Sequence, residues 1–262
     1  MPYRFIAIDL DGTLLDSARR PGPGSAAAIA ACADRGARVV LATGRSFDSA
    51  RPYIRELALR PPYITLNGGV LAEPEVGRFT VRATLSPAQL TAVLDLLTAR
   101  GIAHTVFGAG GIYAVPGTPH LEMLEDYGEP PAVACAPEEM RDVPAPMKVL
   151  AFLPPGPLDQ ELATAAGAQV ATIRSGEHFF EFMPPGVSKG AALSDLMARY
   201  GVDREEVLAI GDGENDLSMF AVAGMSVAMA DAPARVRAQA RELTASCAAG
   251  GVALALQRLV LR

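Results

Sequence analysis

The stretch Ile6-Ala7-Ile8-Asp9-Leu10-Asp11-Gly12-Thr13-Leu14-Leu15 sets two carboxylates, one residue apart, at the end of an apolar run. Side chains alternate sides along an extended chain, so Asp9 and Asp11 share one side and, ionised and unpartnered, would repel each other in a volume of restricted dielectric. A cation between them removes that penalty. An all-oxygen donor set favours hard Mg²⁺, which keeps several waters and is usually held by one or two carboxylates together with a substrate phosphate. The bland reading of the same residues is a strand that ends in an Asx turn at Asp11-Gly12.

Outward from this stretch, apolar runs alternate with helical segments. A strand over 4–10 is followed by an alanine-rich helix over 25–35 stopped by Gly36, a strand over 38–42 and a helix over 46–59. The rhythm resumes late, with a helix over 188–200, a strand over 207–210, a helix from Glu214, a strand over 226–229 and a closing helix from Gly251. Such βαβα alternation predicts a parallel sheet covered by helices on both faces. Between the two halves the pattern changes. Ser86-Pro87-Ala88-Gln89 reads as a capping box with Pro at the first helical position, opening a helix that Gly101 ends. A hairpin around the 108–111 turn, a Pro-rich connection over 130–146, a strand over 148–153, a helix over 158–166 and strands over 168–173 and 178–183 follow. The expected fold is therefore α/β. A Rossmann-like, doubly wound parallel-sheet core is built from 1–81 and 184–262, and an α+β cap domain is inserted over 82–183.

With 262 residues, 50% of them hydrophobic and only 20% charged, the chain can bury a sizeable core and does not resemble a disordered segment. Its net charge of −6 argues against nonspecific adhesion to nucleic acid or anionic membrane. Cys32, Cys135 and Cys247 show no CxxC spacing, so neither a zinc knuckle nor a disulfide framework is supported. No charged leader followed by an apolar stretch is visible, and no uninterrupted apolar run reaches the ~18 residues that span a bilayer. A cytoplasmic protein, a monomer or weak dimer without membrane or nucleic-acid partners, is expected.

Three further polar clusters fall at strand ends or helix starts, where open parallel sheets place their ligands. Thr43-Gly44-Arg45 offers a hydroxyl and a closely approaching backbone N–H to an anion, although Thr-Gly is also ordinary turn material. Gly186-Val187-Ser188-Lys189-Gly190 puts a lysine in the first turn of a helix, against the macrodipole, which calls for an anionic partner or else a solvated surface position. Ile210-Gly211-Asp212-Gly213-Glu214-Asn215-Asp216 concentrates acid after a hydrophobic strand, without the long loop and terminal Glu of a calcium-binding EF-hand.

In this order and spacing, Asp9-Leu10-Asp11-Gly12-Thr13, Thr43-Gly44-Arg45, Lys189 and Gly211-Asp212-Gly213-Glu214-Asn215-Asp216 resemble the four signature motifs of the haloacid dehalogenase superfamily. The insert between the second and third motifs is similar to that of its Cof-type, subclass IIB branch. The resemblance covers the core by motif and the insert by position and element pattern. It implies a Mg²⁺-dependent phosphatase acting on small phosphorylated metabolites such as sugar phosphates. In that scheme Asp9 is the nucleophile that becomes an aspartyl-phosphate and Asp11 is the acid–base partner. The Asp9 carboxylate, the Asp11 main-chain carbonyl and Asp212 hold Mg²⁺. Thr43, Arg45, Lys189, Asn215 and the amides of Leu10 and Gly44 meet the phosphate, and Asp216 supports them from behind. A phosphosugar mutase using the same intermediate and a catalytically silent metabolite-binding regulator are the alternatives.

Two segments depart from the pattern: Asp231 stands where relatives often carry asparagine, and Ala245-Ser246-Cys247-Ala248-Ala249 replaces an expected acidic stretch. Gly108-Ala109-Gly110-Gly111 imitates a dinucleotide loop but lacks a following helix. His104, His120 and His178 have no zinc-binding spacing. Phe107, Tyr113, His120, Arg174 and His178 are candidates to face substrate from the insert, each with cap core or plain surface as the simpler explanation.

Overall fold

β1 (Phe5–Ile8) is buried at all four positions, as a strand covered on both faces must be. The computed structural model describes residues 3–262. After β1 come α1 (Ser25–Asp34), β2 (Arg38–Leu41), α2 (Phe47–Glu56), β3 (Tyr63–Thr65), β4 (Val70–Glu73) and β5 (Arg78–Val81). The middle of the chain holds α3 (Pro87–Ala99), β6 (His104–Gly108), β7 (Gly111–Ala114), α4 (Leu121–Asp126), β8 (Val133–Ala134), β9 (Lys148–Phe152), α5 (Pro157–Ala166), β10 (Ala171–Arg174) and β11 (Phe179–Met183). The last part holds α6 (Lys189–Tyr200), β12 (Val207–Gly211), α7 (Leu217–Val222), β13 (Met225–Ala228), α8 (Ala234–Arg237), β14 (Glu242–Leu243) and α9 (Gly251–Leu259). These elements group into two compact units, Met1–Thr80 with Ser188–Arg262, and Val81–Val187.

In the first unit a parallel sheet runs β14-β13-β12-β1-β2. Side-chain alternation divides its residues between two cores. Ile6, Ile8, Leu41, Leu208 and Ile210 pack against α1 and α9 through Ile29, Cys32, Val252 and Leu256. Phe5, Ala7, Val40 and Ala209 pack against α6 and α7 through Leu193, Leu196, Met219 and Phe220. The register of β1 against β12, from Phe5↔Val207 to Ile8↔Ile210, puts both acidic loops at the same end of the sheet. That neighbourhood positions the site.

A small β3-β4-β5 sheet follows α2, where the sequence pattern shows no element. β3 is three residues long and β4 four, too short for a period-2 signal. α4 lies between the hairpin and the Pro-rich connection, where the sequence pattern shows no element, and the connection over 130–146 contains the two-residue β8, which pairs parallel to β7. The helix expected from Glu214 begins as a 3₁₀ turn over Glu214–Asp216 before α7.

In the second unit the sheet runs β10-β11-β9-β6-β7-β8. The helices α3 and α5 cover one face, with Leu90, Val93, Leu97 and Leu162 packed on Val106, Val149, Phe180 and Phe182. The capping box forms in full: the Ser86 hydroxyl accepts from the Gln89 N–H at 3.3 Å, and the Gln89 side chain accepts from the Ser86 N–H at 2.8 Å. Gly108 pairs with Gly111 and β7 continues from there, so the glycine run closes a hairpin. Among the described residues no helix is long and apolar enough to cross a membrane.

Candidate active site

Asp9 leaves the end of β1 with its N–H donated to the Ile210 carbonyl at 3.0 Å, which ties it to β12. The chain must then turn sharply. Gly12 does this at φ +81°, and a Cβ there would lie 2.3 Å from Asp212 Oδ2, so both backbone conformation and space require glycine. Thr13, fully buried, donates its hydroxyl to Asp212 Oδ1 at 2.6 Å and locks the loop after β1 onto the loop after β12.

Lys189 is the first residue of α6, behind a Ser188 cap whose hydroxyl accepts from the Ala191 N–H. Its fully buried ammonium lies 2.5 Å from Asp9 Oδ1 and 2.7 Å from Asp216 Oδ1. These carboxylates are the anionic partners that a lysine opposed to the helix dipole requires. The other oxygen of Asp216 accepts the N–H groups of Asp212 and Gly213, each at 2.9 Å. Asp216 therefore spends both oxygens on donors of the protein itself and shapes the loop that presents Asp212.

Carboxylate oxygens of Asp9, Asp212 and Asp216 lie within 4.8 Å of one another. Burial pushes the Asp9 carboxyl well above the usual carboxylate range; Lys189 opposes this, while Asp216, Asp212 and Asp11 add repulsion. Burial, then repulsion from Asp216, pushes Asp212 up to about 7 against the pull of Thr13 and Lys189. Burial alone would lower Lys189, but the Asp216 and Asp9 carboxylates hold it above the ordinary lysine range. Three crowded carboxylates facing one ammonium, with oxygen as the only donor atom, fit a hard divalent cation such as Mg²⁺.

Asp11 points elsewhere. Arg45 clasps its carboxylate with two parallel bonds, Nε to Oδ2 at 2.8 Å and Nη2 to Oδ1 at 2.5 Å. The guanidinium is itself fixed by Ser49 Oγ at 3.3 Å and lies 5.2 Å from the centre of the Tyr53 ring. The motif groups Arg45 with the phosphate-binding residues; the structure gives it the holding of Asp11. Thr43 is buried beside it, its hydroxyl accepting from the Arg45 N–H at 3.1 Å.

Asn67 is the residue that the motif reading missed. It sits at φ 52°, donates its N–H to the Thr43 carbonyl, and accepts from the Asn215 side chain at 3.0 Å, joining the Thr43 and Asn215 loops. The available signal was Asn67-Gly68-Gly69 after a short apolar run, since asparagine tolerates the left-handed region. Glu214 corrects the expectation of three acids at one point: its carboxylate pairs with Arg235 at the surface, 3.2 Å away. Of the two departures, Asp231 is exposed, and residues 245–249 include the short 3₁₀ turn that leads into α9.

Among the candidates in the second unit, Arg174 is engaged by both oxygens of Asp159 and lies 5.3 Å from the Phe180 ring centre, on the sheet face that carries the helices. Tyr113 donates its hydroxyl to the Ala109 carbonyl at 2.8 Å. Both are accounted for by packing, which corrects their candidacy. His120 packs on Phe152, His178 is exposed, and Phe107 is buried.

The sequence pattern of the haloacid dehalogenase-like hydrolases matches residues 6–256 of this chain. The chain belongs to that family. This haloacid dehalogenase-like hydrolase is 29% identical to the 5-amino-6-(5-phospho-D-ribitylamino)uracil phosphatase YwtE of Bacillus subtilis, over 98% of each chain. It is 30% identical to an HMP-PP phosphatase of Serratia proteamaculans, over 88% of this chain and 85% of that one. A solved haloacid dehalogenase-like hydrolase from Bacteroides thetaiotaomicron matches with 28% identity and a TM-score of 0.83, over 98% of this chain and 99% of its own. Family and relatives together make the protein a phosphatase of the Cof type that its motifs resemble.

Proposed function

We propose that the protein hydrolyses phosphomonoesters of small metabolites, sugar phosphates or similar compounds, in a Mg²⁺-dependent reaction through an aspartyl-phosphate on Asp9. The observation that carries this reading is the buried Asp9–Lys189–Asp216 chain beside Asp212 at the carboxyl ends of β1 and β12. An Asp9 oxygen attacks phosphorus and the bond to the leaving alkoxide breaks, while Asp11 supplies that oxygen with a proton. Asp11 then takes a proton from water as the water attacks the phosphoryl group, releasing inorganic phosphate and restoring Asp9. Arg45 holds the Asp11 carboxylate in place between the two steps. Lys189, Thr43, Asn215 and the amides of Leu10 and Gly44 receive the phosphate oxygens.

Mg²⁺ held by the Asp9 carboxylate, the Asp11 main-chain carbonyl and Asp212 would shield the charge between nucleophile and phosphate. Asp216 keeps Asp212 and Lys189 in register from behind. The inserted segment 82–183 reads the leaving group, and the relatives named for phosphatase activity on phosphorylated small molecules support that substrate class. The setting is cytoplasmic.

A panel of phosphorylated metabolites, assayed with the purified protein for phosphate release, tests this. Turnover should require Mg²⁺ and stop with chelator. An isomerised sugar phosphate without free phosphate would make the protein a mutase, and undiminished turnover in excess chelator with bound metal excluded would remove the metal from the mechanism.

A further inference from the structure

The second unit holds a cavity of about 740 Å³ to which no residue of the Asp9 site contributes. α3 ends at Ala99, Gly101 turns the chain at φ +63°, and the Ile102 N–H closes the turn on the Leu97 carbonyl at 3.0 Å. β6 then begins at His104, which lies opposite Ala151 and, by alternation, on the helix-bearing side of the sheet with Val106. The cavity forms past the end of the helix, between this turn, the loop after β7 and the 3₁₀ turn over Glu139–Asp142. Protein interiors hold few voids larger than a water molecule, whereas sites for small molecules measure about 300–1,000 Å³. This hollow has the dimensions of a ligand site.

Leu94, Ile102, Val115 and Met140 make its wall largely apolar. The polar side chains in it chiefly accept. His104 Nδ1 lies 2.8 Å from the Ile102 carbonyl, which has no proton to give, so that nitrogen carries one. Burial holds the ring's pKa below the ordinary histidine value, so at neutral pH Nε2 keeps a lone pair, and it has no partner among the described residues. The Thr118 hydroxyl spends its proton on the Val115 carbonyl at 2.7 Å and can only accept from a ligand. Glu138 is an exposed carboxylate with no ion-pair partner among the described residues. Arg141, the one cation in the wall, is neutralised by Asp95 at 2.6 Å. Thr98 can accept or donate, and it is exposed.

We propose that this cavity binds a small, largely apolar amine, an arylalkylammonium in chemical class, with its ring on the apolar wall and its ammonium toward His104 Nε2, Thr118 Oγ1 and Glu138. An ammonium offers three protons and no lone pair, which matches three acceptors, and its charge complements the unpaired Glu138. A carboxylate or phosphate in the same place would meet acceptors of its own kind. The site therefore selects the opposite charge from the phosphate esters assigned to Asp9, and it does not depend on that assignment.

The chain contains no tryptophan, so the indole fluorescence of tryptamine reports binding to the whole protein without background. Its anisotropy is measured at neutral pH in excess Mg²⁺, which competes for Asp9, Asp212 and Asp216, and is compared with that of indole-3-propionate, the same ring carrying a carboxylate. Tryptamine should saturate and should bind at least about tenfold more tightly than the acid. Glu138→Gln, a change at an exposed side chain, should weaken tryptamine roughly three- to tenfold and narrow its advantage over the acid. His104→Phe, which keeps a ring and removes the acceptor, should weaken it about tenfold. If that variant does not fold, Glu138→Gln and Thr118→Val decide. The absence of saturable binding, equal affinity for the acid, or affinities unchanged in the folded variants overturns the assignment.

Discussion

Asp216→Asn isolates the residue that holds the acidic loop without touching the proposed nucleophile. The carboxylate uses one oxygen for two backbone N–H groups at 2.9 Å and the other for the Lys189 ammonium at 2.7 Å, and it is completely buried. Asparagine has one acceptor oxygen and one NH₂. Whichever way the amide turns, a donor faces donors, either the Asp212 and Gly213 amides or the ammonium. Stranding a neutral buried donor costs about 1–3 kcal/mol, and breaking a buried ion pair costs about 3–5 kcal/mol. Lys189 keeps Asp9 at 2.5 Å, which places the expected loss near the middle, about 2–4 kcal/mol. For a unit of this size that is a fall in Tm of roughly 5–15 °C. Thermal unfolding measures it directly. Because Asp216 orients Asp212 rather than serving as a ligand, the Mg²⁺ concentration for half-maximal hydrolysis of 4-nitrophenyl phosphate should rise about 10- to 100-fold, with turnover recovered at saturating metal. An unchanged Tm and Mg²⁺ titration would refute the supporting role. A folded variant inactive at every Mg²⁺ concentration would make Asp216 a ligand.

Asp9→Asn should abolish both covalent phosphate incorporation and turnover, whereas Asp11→Asn should slow turnover by roughly 10²- to 10⁴-fold; normal turnover in Asp9→Asn would remove it as nucleophile. Asp212 is raised from 3.8 to about 7 in the metal-free fold, so the folded state holds its proton more tightly than the unfolded chain does. Its contribution to stability is complete below pH 3.8 and is lost as pH rises through about 7. Metal-free Tm should therefore decline more steeply toward neutrality in the wild type than in Asp212→Asn, and Mg²⁺ affinity should weaken as pH falls below about 7. Parallel Tm–pH curves for the two proteins would contradict the assignment. Gly12→Ala forces a side chain into φ +81° and against Asp212 at 2.3 Å, so it should cost at least about 1–3 kcal/mol and most of the activity; near-normal urea unfolding would show that the turn can relax.

Short-range features were readable without coordinates. The buried β1 run, the Ser86 capping box and the Gly108–Gly111 hairpin depend on side-chain period, capping and turn chemistry within a few residues, and they form as written. So does the demand of Lys189 for an anion, met by Asp9 and Asp216; the shared side expected of Asp9 and Asp11 does not carry over, because β1 ends at Ile8 and the Asp11 carboxylate is held by Arg45. The destinations of these groups were not readable, because they depend on which strands become neighbours and on where the chain bends. Pairing of β1 with β12 brings Lys189 to Asp9 across 180 residues of sequence. The 3₁₀ turn at Glu214–Asp216 rotates Glu214 out to Arg235 while Asp216 turns inward, so three evenly spaced acids do not converge. Arg45 reaches Asp11 and Asn67 reaches Asn215 only once separate loops share one sheet end. The sequence alone determined which chemistry was available and on which elements it rode. Tertiary structure decided which charges meet, because burial of the apolar faces sets the sheet order, and the polar groups at the strand ends must then satisfy one another where water no longer can.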